Sequence, residues 1–249
     1  MNHFRLGRAL VGVIGVLLFF SVSNVQAVEN NPDPWEGFNR VVFRFNDTLD
    51  KYVLKPVAKG YVKVTPGPVQ QGVSNFFSNV GEIPTIVNGL LQAKFAQAGL
   101  DSTRFLVNTT VGLVGFIDVA SRLGLEKHNE DFGQTLGYWG VESGPYLVLP
   151  LLGPNTLRDS FGMIPDSYVS LYNTVDHDKT EYSIRAVDVV DMRAGLLEAE
   201  KLVAGDKYTF FRNAYLQRRE FLVNDGKLAD DFLEDDMLFE DEFDPFEEE

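Results

Sequence analysis

Residues 133–154 read GQTLGYWGVESGPYLVLPLLGP. Five glycines and three prolines interrupt this stretch, and Glu142 is its one charged residue. From Gly144 onward it is almost wholly apolar. Glycine and proline at this density oppose helix and strand alike, because glycine loses most backbone freedom on ordering and proline removes a donor and fixes φ. The expectation is irregular backbone that lines or closes something, at or near lipid.

On the N-terminal side, Asp33-Pro34-Trp35-Glu36 predicts a helix start, with Asp33 as cap and Pro34 in the first helical position. Phe38, Val41, Val42, Phe45, Leu49 and Tyr52 then recur at helical spacing, with Asn39, Arg40, Asn46 and Asp47 off that stripe. This helix is expected to end before Pro56. Pro68 opens a second helix that Gly81 stops, and Pro84 opens a third. A fourth spans Ala96 to Thr109. The run VGLVGFIDV at 111–119 is again apolar and glycine-containing, followed by a short helical turn around Ser121 to Leu125. Beyond the opening stretch come broken helix at 155–172 and two longer helices at 181–203 and 206–224, with Gly226 as C-cap. Strand-like alternation is nearly absent. The fold class read from this pattern is all-α, a single domain of short amphipathic helices with Gly/Pro-rich breaks.

None of the apolar stretches at Phe38, Phe76, Val111–Ile117 or Tyr146–Leu152 reaches the roughly 18–20 residues that span a bilayer. Each alone reads most simply as core. Together they suit a protein lying in one leaflet on in-plane amphipathic helices. Irregular backbone at membrane depth must be buried in protein or face water, so the Gly/Pro segments read as packed pore walls.

Composition divides the chain in three. Residues 1–27 read as an export signal: Arg5 and Arg8, an uncharged apolar run from Ala9 to Phe20, and Val25-Gln26-Ala27 as a small-x-small cleavage site. Residues 28–229 carry 20 basic against 24 acidic residues and form the body. Residues 230–249 carry twelve acids and no base, interleaved with Phe232, Phe239, Phe243 and Phe246, and are expected to be a disordered or partner-docking tail. No basic stripe exists to neutralise phosphates, which argues against nucleic acid. There is no cysteine, so disulfides, thiolate chemistry and thiol lipidation are excluded together.

Little in the chain offers catalysis. His128 lies in Lys127-His128-Asn129-Glu130-Asp131, which reads as a capped polar loop, with a metal or acid–base cluster as the sharper alternative. Asp176-His177-Asp178 reads as an exposed turn. Ser143 lacks the flanking glycines of a nucleophile elbow. Phosphate-cradling glycine loops and zinc-type H-E-x-x-H are absent from the sequence. No cofactor and no metal are expected, and an enzyme is disfavoured.

Ordered motifs carry a resemblance. Asp33-Pro34-Trp35-Glu36-Gly37-Phe38-Asn39-Arg40 with Phe45-Asn46 resembles the opening motif of the MlaA (VacJ) family. Lys55-Pro56-Val57-Ala58, Gly72-Val73-Ser74-Asn75-Phe76, Arg104-Phe105-Leu106-Val107-Asn108-Thr109 and Gly115-Phe116-Ile117-Asp118-Val119-Ala120 continue it. Phe132-Gly133-Gln134-Thr135-Leu136-Gly137, Gly144-Pro145-Tyr146 and Leu157-Arg158-Asp159 complete it.

The resemblance implies a helical ring around an amphipathic channel in the inner leaflet of the outer membrane, associated with a trimeric porin. It implies removal of glycerophospholipids misplaced in the outer leaflet and their transfer to an MlaC-like periplasmic carrier, with no reaction catalysed. Many family members are lipoproteins, whereas this chain has no cysteine to acylate. Combining both lines, the candidate lipid-path residues are Phe38, Phe45, Gly133, Gly137, Glu142, Gly144, Pro145 and Tyr146. The competing readings are a periplasmic lipid-acting hydrolase using His128 with Glu130 or Asp131, and a purely structural porin-associated protein at the membrane surface.

Overall fold

A computed structural model describes residues 31–174 and 178–226. The signal segment, His177 and the acidic tail lie outside the described residues. Helices dominate: α1 (Glu36–Leu49), α2 (Lys55–Val64), α3 (Gly67–Leu91), α4 (Phe95–Thr110), α5 (Val119–Arg122), α6 (Phe132–Tyr138), α7 (Leu157–Val169), α8 (Asp178–Gly195) and α9 (Lys207–Val223). Between α6 and α7 lies an antiparallel hairpin of β1 (Tyr146–Leu149) and β2 (Gly153–Thr156), with Tyr146 opposite Thr156 and Leu149 opposite Gly153. Among the described residues, no helix is long and apolar enough to cross a membrane.

The prolines break less than their number suggests. α1 runs into α2 through a π-helical turn, Asp50–Leu54, placed directly ahead of Pro56. A wide turn shifts the hydrogen-bond ladder by one residue, a recognised way of carrying a helix past a disruption. The expected stop before Pro56 is therefore a register change. Pro84 lies inside α3 rather than opening a new helix, and the Thr85 hydroxyl donates to the Gly81 carbonyl at 3.2 Å beside it. Pro165 likewise lies inside α7. Asp33 is not a cap either. Helix α1 starts at Glu36, and Asp33 is buried and hydrogen-bonded instead.

The opening stretch is more regular than expected. Phe132–Tyr138 is helical and Tyr146–Thr156 is the hairpin. The prolines fall at the ends and turn of the hairpin and in its second strand, where a missing ladder donor costs least. Pro145 precedes β1 and Pro150 follows it. Leu151 at φ +67° and Gly153 at φ +82° make the turn. The all-α expectation holds except for this one small sheet.

The polarity of the interior is inverted. Among the described residues, twenty polar or charged residues are buried against eight apolar ones. Of the stripe that marked α1 as amphipathic, only Val42 is buried: Phe45 is 54% exposed, Tyr52 in the following turn is 69% exposed, and Phe38, Val41 and Leu49 are exposed too. Asn39 faces inward. On α4 the buried positions are Ala98, Asp101, Arg104 and Asn108, while Phe95, Leu100 and Leu106 are exposed. An ordinary water-soluble domain does the reverse.

Candidate functional site

Asn39 and Asn46 lie two turns apart on the inward face of α1, and both grip β1 through its backbone. The Asn39 amide nitrogen donates to the Tyr146 carbonyl at 3.0 Å, and its oxygen accepts from the Val148 N–H at 2.9 Å. Asn46 does the same one step along, donating to the Leu149 carbonyl at 2.9 Å and accepting from Leu151 N–H at 2.8 Å. A side-chain amide has the donor and acceptor of a peptide unit. The helix thus stands in for a further strand along the edge of β1. Asn39 also donates to Asp33 at 2.8 Å, and Asp33 accepts from Tyr208 and from Arg212 on α9. N-terminal, hairpin and C-terminal elements are locked at one point.

Two further polar networks fill the interior. In the first, Arg219 forks onto Asp131 and also reaches Asp159 at 2.8 Å, while the Tyr215 hydroxyl donates to Asp159 at 2.8 Å. Burial works against the charge on Asp131, but the Arg219 guanidinium outweighs it and holds that carboxyl below the usual range. The network extends through Asp166, which accepts from Phe132 N–H at 2.9 Å and Asn88 at 2.8 Å, and through Thr135 to Gln92 and Glu130.

In the second, the fully buried Arg104 meets Glu82 at 3.2 Å, Ser121 at 3.2 Å and the Leu125 carbonyl. Burial raises the Glu82 carboxyl against the pull of Arg104. Charge pairs at such depth cost desolvation and hold only when their hydrogen bonds are met. The buried oxygens Glu82 Oε2, Asp101 Oδ2 and Tyr146 Oη have no hydrogen-bond partner among the described residues.

The residues singled out from sequence separate into three groups. Phe38 and Phe45 lie on the exposed face of α1. Gly133 and Gly137 are packing positions on α6. A Cβ at Gly133 would sit 2.4 Å from an Asp159 oxygen, one at Gly137 2.8 Å from Arg158, and one on the facing Gly162 2.5 Å from the Gly133 nitrogen. Tyr146 is fully buried at the start of β1. Glu142 is exposed. Gly144 takes φ +67° with Leu157 beneath it, and the Pro145 carbonyl accepts from Leu157 N–H at 3.0 Å.

Gly133, Gly137, Gly144 and Pro145 thus all abut α7, Tyr146 pairs with Thr156 just ahead of it, and Phe38 and Phe45 lie on another face. His128 pairs with the buried Asp101 at 2.9 Å, away from Asp131, which is engaged by Arg219. No cluster among the described residues has the make-up of a metal site.

Sequence reasoning passed over the buried polar set: Asp33, Asn39, Glu82, Arg104, Asp159 and Arg219. A signal was present. Asp101, Arg104 and Asn108 repeat at helical spacing, as do Asn39 and Asn46, and these rows were the inward faces.

At the apolar extreme, the turn after α4 carries Leu113 at φ +53°, Val114 at +59° and Gly115 at +91°. Left-handed backbone at a β-branched valine is strained. Val111, Leu113, Val114 and Phe116 are all exposed there.

Comparison with known proteins gives a consistent result. The MlaA lipoprotein family profile matches residues 31–222. The chain is similar to the intermembrane phospholipid transport system lipoprotein MlaA of Shigella flexneri, 36% identical over 232 residues and 90% of each chain. It is similar to the protein of that name from Haemophilus influenzae, 35% identical over 244 residues, 93% of this chain and 96% of the other. A solved structure from work on the structural basis for maintenance of bacterial outer membrane lipid asymmetry superposes with a TM-score of 0.68 at 36% identity, covering 77% of this chain and 98% of that one.

Proposed function

The chain belongs to the MlaA lipoprotein family, and on that premise we propose that it removes phospholipids misplaced in the outer leaflet of the outer membrane and passes them to a periplasmic carrier. It lies in the inner leaflet, reached by export with a cleaved signal, beside a trimeric porin, and catalyses no reaction. The observation that carries this reading is the inverted polarity. Exposed Phe38, Val41, Phe45, Leu106 and Leu113 suit acyl chains, while the buried Asn, Asp, Glu and Arg side chains supply a polar interior for headgroups. A phospholipid crossing between leaflets needs both at once. None of the 249 residues is cysteine, so the acyl anchor of a lipoprotein has no attachment residue in this sequence, and the exposed apolar faces carry the membrane affinity.

The test is complementation in Gram-negative cells lacking their own family member, reading surface-exposed phosphatidylethanolamine with an impermeant amine-reactive reagent. Restored asymmetry is expected. Persistent surface phosphatidylethanolamine, with the protein correctly in the outer membrane, overturns the proposal. The same assay on His128→Ala separates the hydrolase alternative: a transporter keeps its activity and a hydrolase loses it.

A further inference from the structure

A second feature lies where α1, the hairpin, the end of α8 and the start of α9 converge. It is a cleft of about 390 Å³, within the range of small-ligand pockets. Its walls are Phe43, Leu196, Leu202, Val203, Phe210 and Phe211. Leu196, Leu202, Phe210 and Phe211 are among the exposed apolar residues, so the cleft is greasy and open at once.

Its rim is charged and balanced. Asp50 receives a two-pronged Arg193 at 2.6 and 2.8 Å, and Glu200 receives Arg193 at 2.7 Å and Lys55 at 2.8 Å. These groups are largely shielded, and the pairing with Lys55 and Arg193 holds the Glu200 carboxyl down to about 2. The remaining pair differs. Lys207 meets Asp47 at 3.1 Å with both side chains 40% exposed or more, and stays 3.7 Å from the Glu200 carboxylate when Asp47 is displaced. An exposed pair of that kind is worth little and exchanges readily. The lining itself carries three carboxylates, Asp47, Asp50 and Glu200, against two cations, Arg193 and Lys207, and Lys55, bound to Glu200 from outside the lining, completes the balance. The rim offers one exchangeable cation and one exchangeable anion above an apolar slot.

We propose that this cleft is a binding site for a zwitterionic glycerophospholipid. One acyl chain lies against Phe43, Phe210 and Phe211, the phosphate replaces Asp47 on Lys207, and the headgroup ammonium takes Asp47. The inference rests on the phospholipid-handling reading above and names the lipid class for one site of it. A net-neutral rim with a separable cation–anion pair matches a zwitterion better than a headgroup with net negative charge, which would meet Asp47 without a compensating ammonium.

The test places the full chain in vesicles holding equal amounts of phosphatidylethanolamine and phosphatidylglycerol, each carrying a photoreactive group at the end of one acyl chain. Adducts are mapped by mass spectrometry. Adducts are expected on the cleft walls, with the ethanolamine lipid favoured about threefold, the scale of a charge contact at an exposed rim. Ala199→Trp fills the slot from an exposed lining position and lowers cleft adducts about tenfold, a loss of about 1.4 kcal/mol, with helical circular dichroism unchanged.

Asp47→Lys leaves the slot open and reverses the headgroup preference, so it carries the test even where Ala199→Trp disturbs folding. Adducts confined to faces outside the cleft, or a headgroup ratio unmoved by Asp47→Lys, overturn the inference. Lipid transfer to an acceptor, measured in the same samples, keeps the two readings apart. Transfer without cleft adducts overturns the site and leaves the transport function standing. Cleft adducts without transfer uphold the site and overturn the transport function.

Discussion

Asn39→Ala is the sharpest perturbation of this fold. The side chain is fully buried and makes three hydrogen bonds, to Asp33, the Tyr146 carbonyl and the Val148 N–H. Truncation leaves both backbone groups without these partners in a space that water enters poorly, and removes one donor from Asp33. Each buried group stripped of its partner costs about 1–3 kcal/mol, giving about 3–6 kcal/mol for the set. Asp33 retains Tyr208 and Arg212, so its share falls at the low end.

Asn46→Ala is the internal control. It makes the equivalent contacts with β1 in a half-buried setting, where water replaces part of what is lost, and a cost of about 1–2 kcal/mol is expected. Asn39→Asp keeps an acceptor for Val148 but cannot donate when ionised and sets a second carboxylate against Asp33, so it is at least as damaging at neutral pH. The assay is denaturant unfolding in detergent with amide hydrogen exchange. Val148 exchange should accelerate in Asn39→Ala far more than in Asn46→Ala. Stability within about 0.5 kcal/mol of wild type, the range of inert surface changes, together with unchanged Val148 protection, refutes the clamp.

Gly162→Ala places a Cβ 2.5 Å from the Gly133 backbone nitrogen, and overpacking of that kind should cost at least about 2 kcal/mol in thermal unfolding; an unshifted melt shows that α6 and α7 do not touch there. Phe45→Asp sits on the exposed face of α1, so unfolding should be unchanged while flotation with vesicles weakens by about 1.5–3 kcal/mol, the worth of one aromatic side chain. Asp131 is held below the usual carboxylate range by Arg219, so its ionised form stabilises the fold above that range and the contribution fades as pH falls through the lowered value. Asp131→Asn should therefore flatten the acid limb of a stability–pH profile below about pH 4, and an unaltered limb counts against that pairing.

In the C-terminal half α9 was legible, whereas the single helix expected over 181–203 stops at Gly195 in α8 and resumes only as a short 3-10 turn at Ala199–Leu202, because glycine lets the backbone leave the helix there. The hairpin was not legible. Its strands are four residues each, proline stands in or beside both, and the pairing that completes β1 comes from Asn39 and Asn46 more than one hundred residues away. No local pattern carries that information. Pro56 and Pro84 misled for a related reason: a π turn and the rest of α3 absorb them, and propensity sees only the missing N–H. At the candidate site, Gly133 and Gly144 stand out in sequence as glycines, and the structure adds the rest, close packing for Gly133 and turn geometry for Gly144. The direction of the α1 stripe was the deeper ambiguity. Amphipathic spacing gives two faces and does not say which one is inside.

That ambiguity resolves through the solvent. In water, burying apolar side chains drives folding, and a chain that leaves Phe38, Phe45, Leu106 and Leu113 outside forfeits that gain. In a leaflet the gain does not exist, because acyl chains are as apolar as leucine, and helices associate through close packing and hydrogen bonds instead. Both devices are present at the joints of this fold. Gly89 meets Ala98 in close contact between α3 and α4, Gly133 meets Gly162 between α6 and α7, and the Asn39, Arg104 and Arg219 networks join elements far apart in sequence. The polar interior is thus what holds the helices together, and under the function proposed above the same groups would surround a headgroup in transit. Under that proposal, structure and transport would draw on one set of side chains. A substitution that empties the interior of charge should then loosen the fold and close the lipid route together, whereas one on the cleft rim, such as Asp47→Lys, changes lipid preference while the Asn39 clamp stays intact.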